Sequence, residues 1–296
     1  MKSNAIVAGI VAALVFNWGP VSAAPLEAPA FAYSAAPLDV ATLSTKSEEG
    51  LRTSLVTFHS GTHVVTAEII APAGTPEGPG ILFVHWLGDA KTTNHTEFEP
   101  DALALAKRGA TCVLIDAMWS TVSTKGADWF DSVRSTDTDY AASIAQVVDL
   151  RRALDLLLAQ PHVDATRIAY VGHDFGAMYG AVLAGIDSRP QYFVLMAGNS
   201  SFSQWYLLGK HPNDVAAYIQ QMSPLEPLPY LHRSTARAFM FQFAEHDRYV
   251  SAPSANAFVD AAPLPRAAFL YDAHHDLAIP DALADRLAWL GTRLFP

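Results

Sequence analysis

Three groups of reactive side chains occur along this chain in the order aspartate, carboxylate, histidine. The pentapeptide GHDFG at residues 172–176 places Asp174 between two glycines, with the spacing that a sharp strand-to-helix turn requires. Carboxylates follow in AEHDR at 244–248, and two adjacent histidines follow in DAHHD at 272–276. A carboxylate can orient an imidazole and stabilise its protonated form, and the imidazole can activate water. These positions therefore indicate hydrolysis with Asp174 as the attacking group.

Asp174 also has a simpler interpretation, since aspartate is a favoured helix N-cap and complements the positive end of the helix dipole. Capping alone does not require a glycine on both sides of the aspartate. A turn that projects a nucleophile above the sheet does require small residues there. The pattern therefore favours a reactive role for Asp174.

The acid and the base each have two candidates. We expect Asp247 to orient the histidine, with Glu245 as the alternative. We expect His275 to act as the base, with His274 as the alternative. The spacing alone leaves both choices open.

Two backbone amides are expected to stabilise a developing oxyanion. In such a site one donor follows an early strand and the other follows the nucleophile, which here predicts the N–H groups of Trp86 and Phe175. Each such donor is typically worth about 3 kcal/mol. The ring of Trp86 could also pack on the rim of the pocket, and both roles are compatible.

Apolar runs alternate with helical patterns through residues 51–296, and these elements must position the reactive groups. Each of the three groups directly follows a predicted strand, and active sites of parallel sheets lie at the carboxyl ends of strands. The alternation predicts a mostly parallel, doubly wound α/β sheet covered on both faces, preceded by an antiparallel hairpin. We predict strands at 55–58, 63–70, 81–85, 111–115, 168–171, 192–196, 239–243 and 268–271, and helices at 100–108, 139–160, 175–183, 254–261 and 280–294.

The N-terminus reads as a targeting segment. Residues 1–23 combine Lys2, an apolar run at 5–16 and the small-residue sequence Val-Ser-Ala at 21–23, which is typical of a cleaved signal peptide. The run is shorter than the roughly 20 residues that cross a bilayer. We therefore expect export, periplasmic or secreted, without stable membrane insertion after cleavage. Residues 24–50 are expected to form a surface lead-in.

Composition limits the partners and cofactors. The net charge of −10 argues against a nucleic-acid partner, and 51% hydrophobic residues allow a large core. The single Cys112 excludes an intrachain disulfide and lies in an apolar run, where we expect it to be buried. The 11 histidines form no zinc motif, so no metal or other cofactor is expected. The expected partner is a small-molecule substrate; the sequence leaves the oligomeric state open.

On these residues the chain resembles the α/β-hydrolase superfamily, most closely its dienelactone-hydrolase-like group. The likeness lies in ILFVHWLGD, RIAYVGHDFGAMYGAVLAG, FQFAEHDRYVSA and YDAHHDLAIPDALADRLAWL. It implies a three-layer fold over residues 51–296, with a nucleophile, acid and histidine in this order. It also implies a short cap at about 198–237 in place of a large lid, with Trp205 and Tyr206, and Tyr218 or Tyr230, facing the pocket.

The aspartate departs from that group, whose nucleophile is usually serine or cysteine. It is similar instead to the elbows of haloalkane dehalogenases and epoxide hydrolases, which also contain Gly-His-Asp-x-Gly. That resemblance implies attack on an sp3 carbon, an alkyl ester on Asp174, and hydrolysis of the ester by water that His275 activates. Phe175 stands where these dehalogenases carry a halide-binding tryptophan and the fluoroacetate type carries arginine.

Three functions are therefore compatible with the sequence. The first is hydrolysis of an epoxide or haloalkane through Asp174. The second is hydrolysis of a lactone or carboxylic ester. The third is a catalytically silent protein of the same fold that binds a ligand or partner; the sequence also allows that Asp174 replaces an earlier serine.

Overall fold

In a computed structural model describing residues 24–74, 77–88, 94–120 and 134–295, one sheet of nine strands carries the fold. The strands are β1 Ala41–Glu48, β2 Leu51–Ser60, β3 His63–Pro72, β4 Gly78–Val84, β5 Thr111–Ile115, β6 Val163–His173, β7 Tyr192–Met196, β8 Ala238–Ala244 and β9 Arg266–Tyr271. Their spatial order is β1-β2-β3-β5-β4-β6-β7-β8-β9. The first three pairs in this order, from β1 to β5, are antiparallel, and the remaining five pairs, from β5 to β9, are parallel.

Helices cover both faces of the sheet. The helices are α1 Glu99–Ala106, α2 Asp139–Leu158, α3 Phe175–Ala184, α4 Phe202–Tyr206, α5 Val215–Met222, α6 Pro227–His232, α7 Ala252–Ala261 and α8 Pro280–Leu294, with short 3-10 turns at Ala28–Phe31 and Ser223–Leu225. Helices α1 and α8 contribute to the hydrophobic cluster on one face of the sheet, while α2, α3 and α7 contribute to the cluster on the other face. The predicted three-layer, mostly parallel architecture is confirmed.

Strand β4 shows why the central strands are continuously apolar. Ile81 and Phe83 belong to the cluster that contains α1 and α8, whereas Leu82 and Val84 belong to the cluster that contains α2 and α3. Successive side chains of a strand point to opposite faces, and both faces here are buried. The strand therefore needs an apolar residue at every position. Cys112 in β5 is buried in the same way, as expected.

The N-terminal region contains a strand that the sequence did not predict. Residues 24–50 were expected to be a surface lead-in, but 41–48 form β1, which pairs with β2 along one edge. Upstream, Phe31 is fully buried and contacts the ring of Tyr230 on α6. The predicted hairpin is confirmed as β2 and β3, although β2 begins at Leu51. Residues 1–23 lie outside the described residues.

The segment between β7 and β8 contains three short helices, α4, α5 and α6, in the place predicted for the cap. None of the helices in the described residues is both long enough and apolar enough to span a membrane.

Candidate active site

The turn from β6 into α3 has the geometry of a nucleophile elbow. Asp174 adopts φ 56° and ψ −114°, a strained backbone conformation for a residue other than glycine. A Cβ atom at Gly172 would overlap the carbonyl of Gly176, and one at Gly176 would overlap the carbonyl of Val84. Both glycines are therefore required by close backbone approach. Asp174 occupies the N-cap position, but its side chain makes no capping hydrogen bond.

The carboxyl ends of β8 and β9 bring Asp247 and His275 to this elbow. His275 Nδ1 lies 2.8 Å from Asp247 Oδ2, and both side chains are buried. Asp247 Oδ1 accepts hydrogen bonds from the N–H groups of Tyr249 and Val250, which fix the carboxylate. The alternatives Glu245 and His274 are exposed. The buried pair next to Asp174 thus consists of Asp247 and His275.

The two oxygens of the Asp174 carboxylate have different environments. Oδ2 accepts the N–H of Leu87 at 3.0 Å and lies 3.9 Å from His275 Nε2. Oδ1 is buried and has no hydrogen-bond partner among the described residues. Buried polar atoms are normally paired, so an unpaired carboxylate oxygen is an informative exception.

The amide that reaches Asp174 is that of Leu87, which corrects the prediction of Trp86. The N–H of Trp86 instead donates to Glu97 Oε2 at 2.7 Å. The ring of Trp86 does lie on the site, with its centroid 5.6 Å from that of His275. Phe175, the second predicted donor, begins α3, where the N–H groups form the positive end of the helix. Its side chain is buried against Tyr206 and Trp119.

Charge determines the protonation of the histidine. Burial lowers the pKa of His275, but the carboxylates of Asp174 and Asp247 on its two sides outweigh burial and raise this pKa to about 9. Burial also raises the pKa of Asp247, yet the hydrogen bond and charge of His275 leave it below its ordinary value. His275 is therefore an imidazolium at neutral pH, held between two carboxylates.

A second carboxylate–histidine pair, Glu97 and His173, lies behind the site. Glu97 Oε1 lies 2.6 Å from His173 Nδ1, within hydrogen-bond distance. His173 Nε2 donates to the backbone oxygen of His275 at 2.9 Å. Glu97 thus connects the loop after β4, through its bond to the Trp86 N–H, with the loop that carries His275. His173 belongs to the elbow motif, but no spacing in the sequence indicates Glu97.

Aromatic side chains enclose the imidazole of His275. Trp205, a predicted pocket residue on α4, stacks on it with ring centroids 5.7 Å apart. Tyr249, which the sequence did not indicate, meets it edge-on at 5.0 Å and is 50% exposed. Tyr206 packs on Phe175, and its hydroxyl hydrogen bonds to that of Tyr179.

The other two cap tyrosines direct their hydroxyls to internal partners. Tyr218 donates to Asp139 Oδ2 at 2.8 Å, and Tyr230 donates to the carbonyl of Pro224 at 2.7 Å. The first contact fastens α5 to α2, and the second joins α6 to the 3-10 turn that precedes it.

Glu226 fixes the helix that carries Trp205. Its carboxylate accepts hydrogen bonds from the N–H groups of Phe202 and Ser203 and from the hydroxyls of Ser201 and Ser203. Burial raises the pKa of Glu226 despite these four bonds, which lower it. The carboxylate lies at the first turn of α4, where it complements the helix dipole.

One exposed group of side chains has the composition of a metal site. Ligand atoms of Glu245, His246 and Asp272 lie within 4.8 Å of one another among the described residues. His246 Nε2 and Asp272 Oδ1 are already paired at 2.8 Å. All three side chains are exposed and none contacts Asp174.

Comparison with solved structures places this geometry in a known fold. The chain is similar to an acetyl xylan esterase from Paenibacillus sp. R4, with a TM-score of 0.70, 16% identity and coverage of 88% of this chain and 90% of that one. It is also similar to acetyl xylan esterase 1 from Thermoanaerobacterium sp. JW/SL YS485, with a TM-score of 0.66, 14% identity and coverage of 86% and 88%. The fold is that of the α/β-hydrolases.

A third structure with the α/β-hydrolase fold, a cold-adapted esterase from an Arctic intertidal metagenomic library, has a TM-score of 0.65 and 16% identity, with coverage of 85% of this chain and 98% of that one. No protein-family model and no curated protein matches the sequence. At these identities the similarity establishes the fold, and the reaction has to be argued from the site.

Proposed function

We propose that this chain is a hydrolase in which Asp174 Oδ1 attacks an electrophilic sp3 carbon, with an epoxide as the favoured substrate. The observation that carries the proposal is the asymmetry of the carboxylate. Oδ2 is held by the Leu87 N–H, whereas Oδ1 has no partner among the described residues. An oxygen without hydrogen bonds keeps its lone pairs available, and a carboxylate needs no base to become a nucleophile.

A carboxylate nucleophile also favours attack on an sp3 carbon over attack on an ester carbonyl carbon. A carboxylate that attacks a carboxylic ester would form an acyl anhydride. Forming this intermediate is no easier than forming the hydrolysis product directly. Attack on an sp3 carbon forms an ordinary alkyl ester, which water can split at the Asp174 carbonyl. The site has the parts for this second step, namely His275 and the Leu87 N–H.

The charge of His275 favours an oxygen leaving group. In the first step the bond between Oδ1 and carbon forms, the epoxide C–O bond breaks, and the new alkoxide takes the proton from His275 Nε2. A departing halide would not accept that proton. An epoxide therefore balances the first step within the site, without a proton donor from the cap.

Esterification then prepares His275 for the second step. The ester on Asp174 is uncharged, so one of the two carboxylates that raise the pKa of His275 is lost. Neutral His275 removes a proton from water, which attacks Cγ of Asp174, while the Leu87 N–H stabilises the oxyanion on Oδ2. The Cγ–Oδ1 bond breaks, and His275 protonates the leaving alkoxide to give a diol. Asp174 regains one oxygen from water, and the remaining water proton passes from its carboxyl group to His275, which restores the imidazolium.

Oxygen labelling tests this route directly. In a single turnover of an aryl epoxide in H218O, we expect unlabelled diol and one 18O atom in the peptide that contains Asp174, measured by mass spectrometry. His275→Gln removes both the first proton donor and the base of the second step, so turnover should be lost, and any alkyl ester that still forms on Asp174 should persist as an intact-mass increase. His274→Gln is the matched control, because that neighbouring histidine is exposed and should leave turnover intact. A labelled diol from the first turnover, with Asp174 unlabelled, would rule the covalent route out.

Hydrolysis of a carboxylic ester is a second candidate, favoured by the three solved structures described above, all of which are esterases. In that reaction water held by His275 would attack the ester carbonyl, and Asp174 would act through its charge. Turnover of aryl acetates without 18O in Asp174 would select this candidate. Absence of any turnover and of any adduct would select the silent binding protein.

A further inference from the structure

We infer that His85 is a positioning residue, which sets the direction of the Leu87 N–H through the carbonyl of Trp86. The inference rests on the proposed function, because that direction affects turnover only if the Leu87 amide stabilises an oxyanion. His85 directly follows β4 and is 1% exposed, and its ring nitrogens hydrogen bond to Trp86, Ala117 and Ser120.

The partners of His85 determine which ring nitrogen carries its proton. Nδ1 lies 2.8 Å from the carbonyl oxygen of Trp86, and a carbonyl can only accept, so Nδ1 donates. Nε2 lies 3.1 Å from the backbone nitrogen of Ala117, whose N–H can only donate, so Nε2 accepts. The hydroxyl of Ser120 also lies 2.5 Å from Nε2. Burial lowers the pKa of His85, in agreement with this neutral tautomer.

Peptide geometry carries the effect from His85 to Asp174. The carbonyl of Trp86 and the N–H of Leu87 belong to one planar trans peptide, and they point in opposite directions. While His85 holds the carbonyl on its side, the N–H faces Asp174 Oδ2 at 3.0 Å. A half-turn of this peptide would remove the donor and place a carbonyl oxygen against the carboxylate.

Glu97 holds the other side of the same residue. It accepts the N–H of Trp86 at 2.7 Å, so that both backbone polar groups of Trp86 are fixed by side chains. The loop after β5, through Ala117 and Ser120, fixes the far edge of the His85 ring. The direction of the Leu87 amide is thus set by the hydrogen bond of His85 to the adjacent Trp86 carbonyl, and the loop after β5 holds the His85 ring in place.

Two substitutions of His85 distinguish the role of Nδ1 from the role of Nε2. In His85→Asn the side-chain amide occupies the position of Nδ1 and can still donate to the Trp86 carbonyl. In His85→Gln the amide reaches the position of Nε2 and can still accept from Ala117, but the Trp86 carbonyl loses its donor. We expect kcat to fall about 10²-fold in His85→Gln, the usual effect of losing one oxyanion donor. We expect His85→Asn to keep far more of its kcat while losing more thermal stability.

The Leu87 amide can also be observed without any substrate. The dipeptide Trp-Leu occurs twice, at 86–87 and 289–290, so labelling with 13C-carbonyl tryptophan and 15N-leucine gives two correlated amide signals. The signal of Leu290, within α8, serves as the internal reference. The Leu87 signal should shift upfield in His85→Gln and in Asp174→Asn, and should stay close to the wild-type position in His85→Asn.

The two readouts keep the inference separate from the proposed function. If wild-type protein hydrolyses no epoxide, the proposed function fails, while the Leu87 signal still decides the role of His85. An unshifted Leu87 signal in His85→Gln would overturn the inference. Loss of kcat in both variants in proportion to their melting temperatures would also overturn it, because that result indicates packing alone.

Discussion

Asp174 and His275 influence each other's chemistry through charge. The carboxylate of Asp174 raises the pKa of His275, and His275 Nε2 lies 3.9 Å from Asp174 Oδ2. In the proposed route, esterification of Asp174 would remove this charge, so that the same histidine could act first as an acid and then as a base. A neutral serine at position 174 would provide no such change of charge.

The pH dependence of turnover follows from this arrangement. Because His275 must be protonated to supply the first proton, kcat/KM for an epoxide should fall about tenfold per pH unit above pH 9. The measurement is kcat/KM between pH 6 and pH 10. A haloalkane, whose leaving group needs no proton, should lack this decline if it is a substrate. An epoxide profile that rises through pH 9 would contradict the assignment.

Stability should depend on pH through the same residue. The pKa of His275 in the folded protein, about 9, lies above the ordinary value of about 6.5, so its protonated form stabilises the folded state. That contribution is fully present below about pH 6.5 and is lost as pH rises through about 9. Urea unfolding at several pH values should show the decline in wild type and in His274→Gln. The decline should be much smaller in His275→Gln, and an equal slope in all three proteins would refute its origin.

At the scale of single residues, side-chain chemistry could be predicted from the sequence, but amide direction could not. Asp174, Asp247 and His275 each follow a strand, so their convergence could be anticipated from the order of the strands. The choice between Trp86 and Leu87 depends on the rotation of one peptide plane. Hydrogen bonds with His85 and Glu97 hold the two backbone polar groups of Trp86, and neither contact leaves a spacing in the sequence.

Helix α4 shows how an element of five residues can hold a functional side chain. A helix this short gains little stability from its own hydrogen bonds. Glu226 supplies the missing partners at its first turn, and Trp205 then lies in a fixed position against His275.

Removal of Glu226 should therefore affect both stability and substrate binding. Glu226→Ala leaves buried N–H groups unpaired, which should lower the free energy of unfolding by about 1–3 kcal/mol. KM should rise more than kcat falls, because Trp205 loses its support. Asp214→Ala is the matched control, since Asp214 caps the neighbouring α5 from an exposed position. The control should lose about 1 kcal/mol and keep its KM; an unchanged KM in Glu226→Ala would show that α4 is held by other contacts.

At the scale of elements, buried strands could be predicted from the sequence, because burial requires an apolar pattern, and exposed strands could not. The predicted bounds of 111–115 and 192–196 agree with β5 and β7, because both strands are covered by helices and are continuously apolar. Strand β1, with the sequence ATLSTKSE, is exposed at every position. Its pairing is stabilised by backbone hydrogen bonds to β2, which impose no apolar pattern, so the sequence gives no signal for it.

At the scale of the whole molecule, the sequence of residues 1–23 is the basis of the expected export. When the full chain is produced in a bacterial host, the mature protein should appear in the periplasm or medium and begin at or near Ala24, as read by N-terminal sequencing. Deletion of residues 2–23 should leave the protein in the cytoplasm. Recovery of the intact chain, including Met1, from the membrane fraction would contradict this expectation.

The contacts of Gly172 and Gly176 have a consequence for how this scaffold can change. They fix the elbow from the backbone, so the strained conformation at position 174 does not depend on which side chain stands there. Asp247 and His275 are paired with each other, and His85 and Glu97 hold the backbone of Trp86, through bonds that do not involve the side chain at position 174. If the proposed route holds, Asp174→Ser would therefore exchange an alkyl-ester intermediate for an acyl one on the same backbone, without refolding any element.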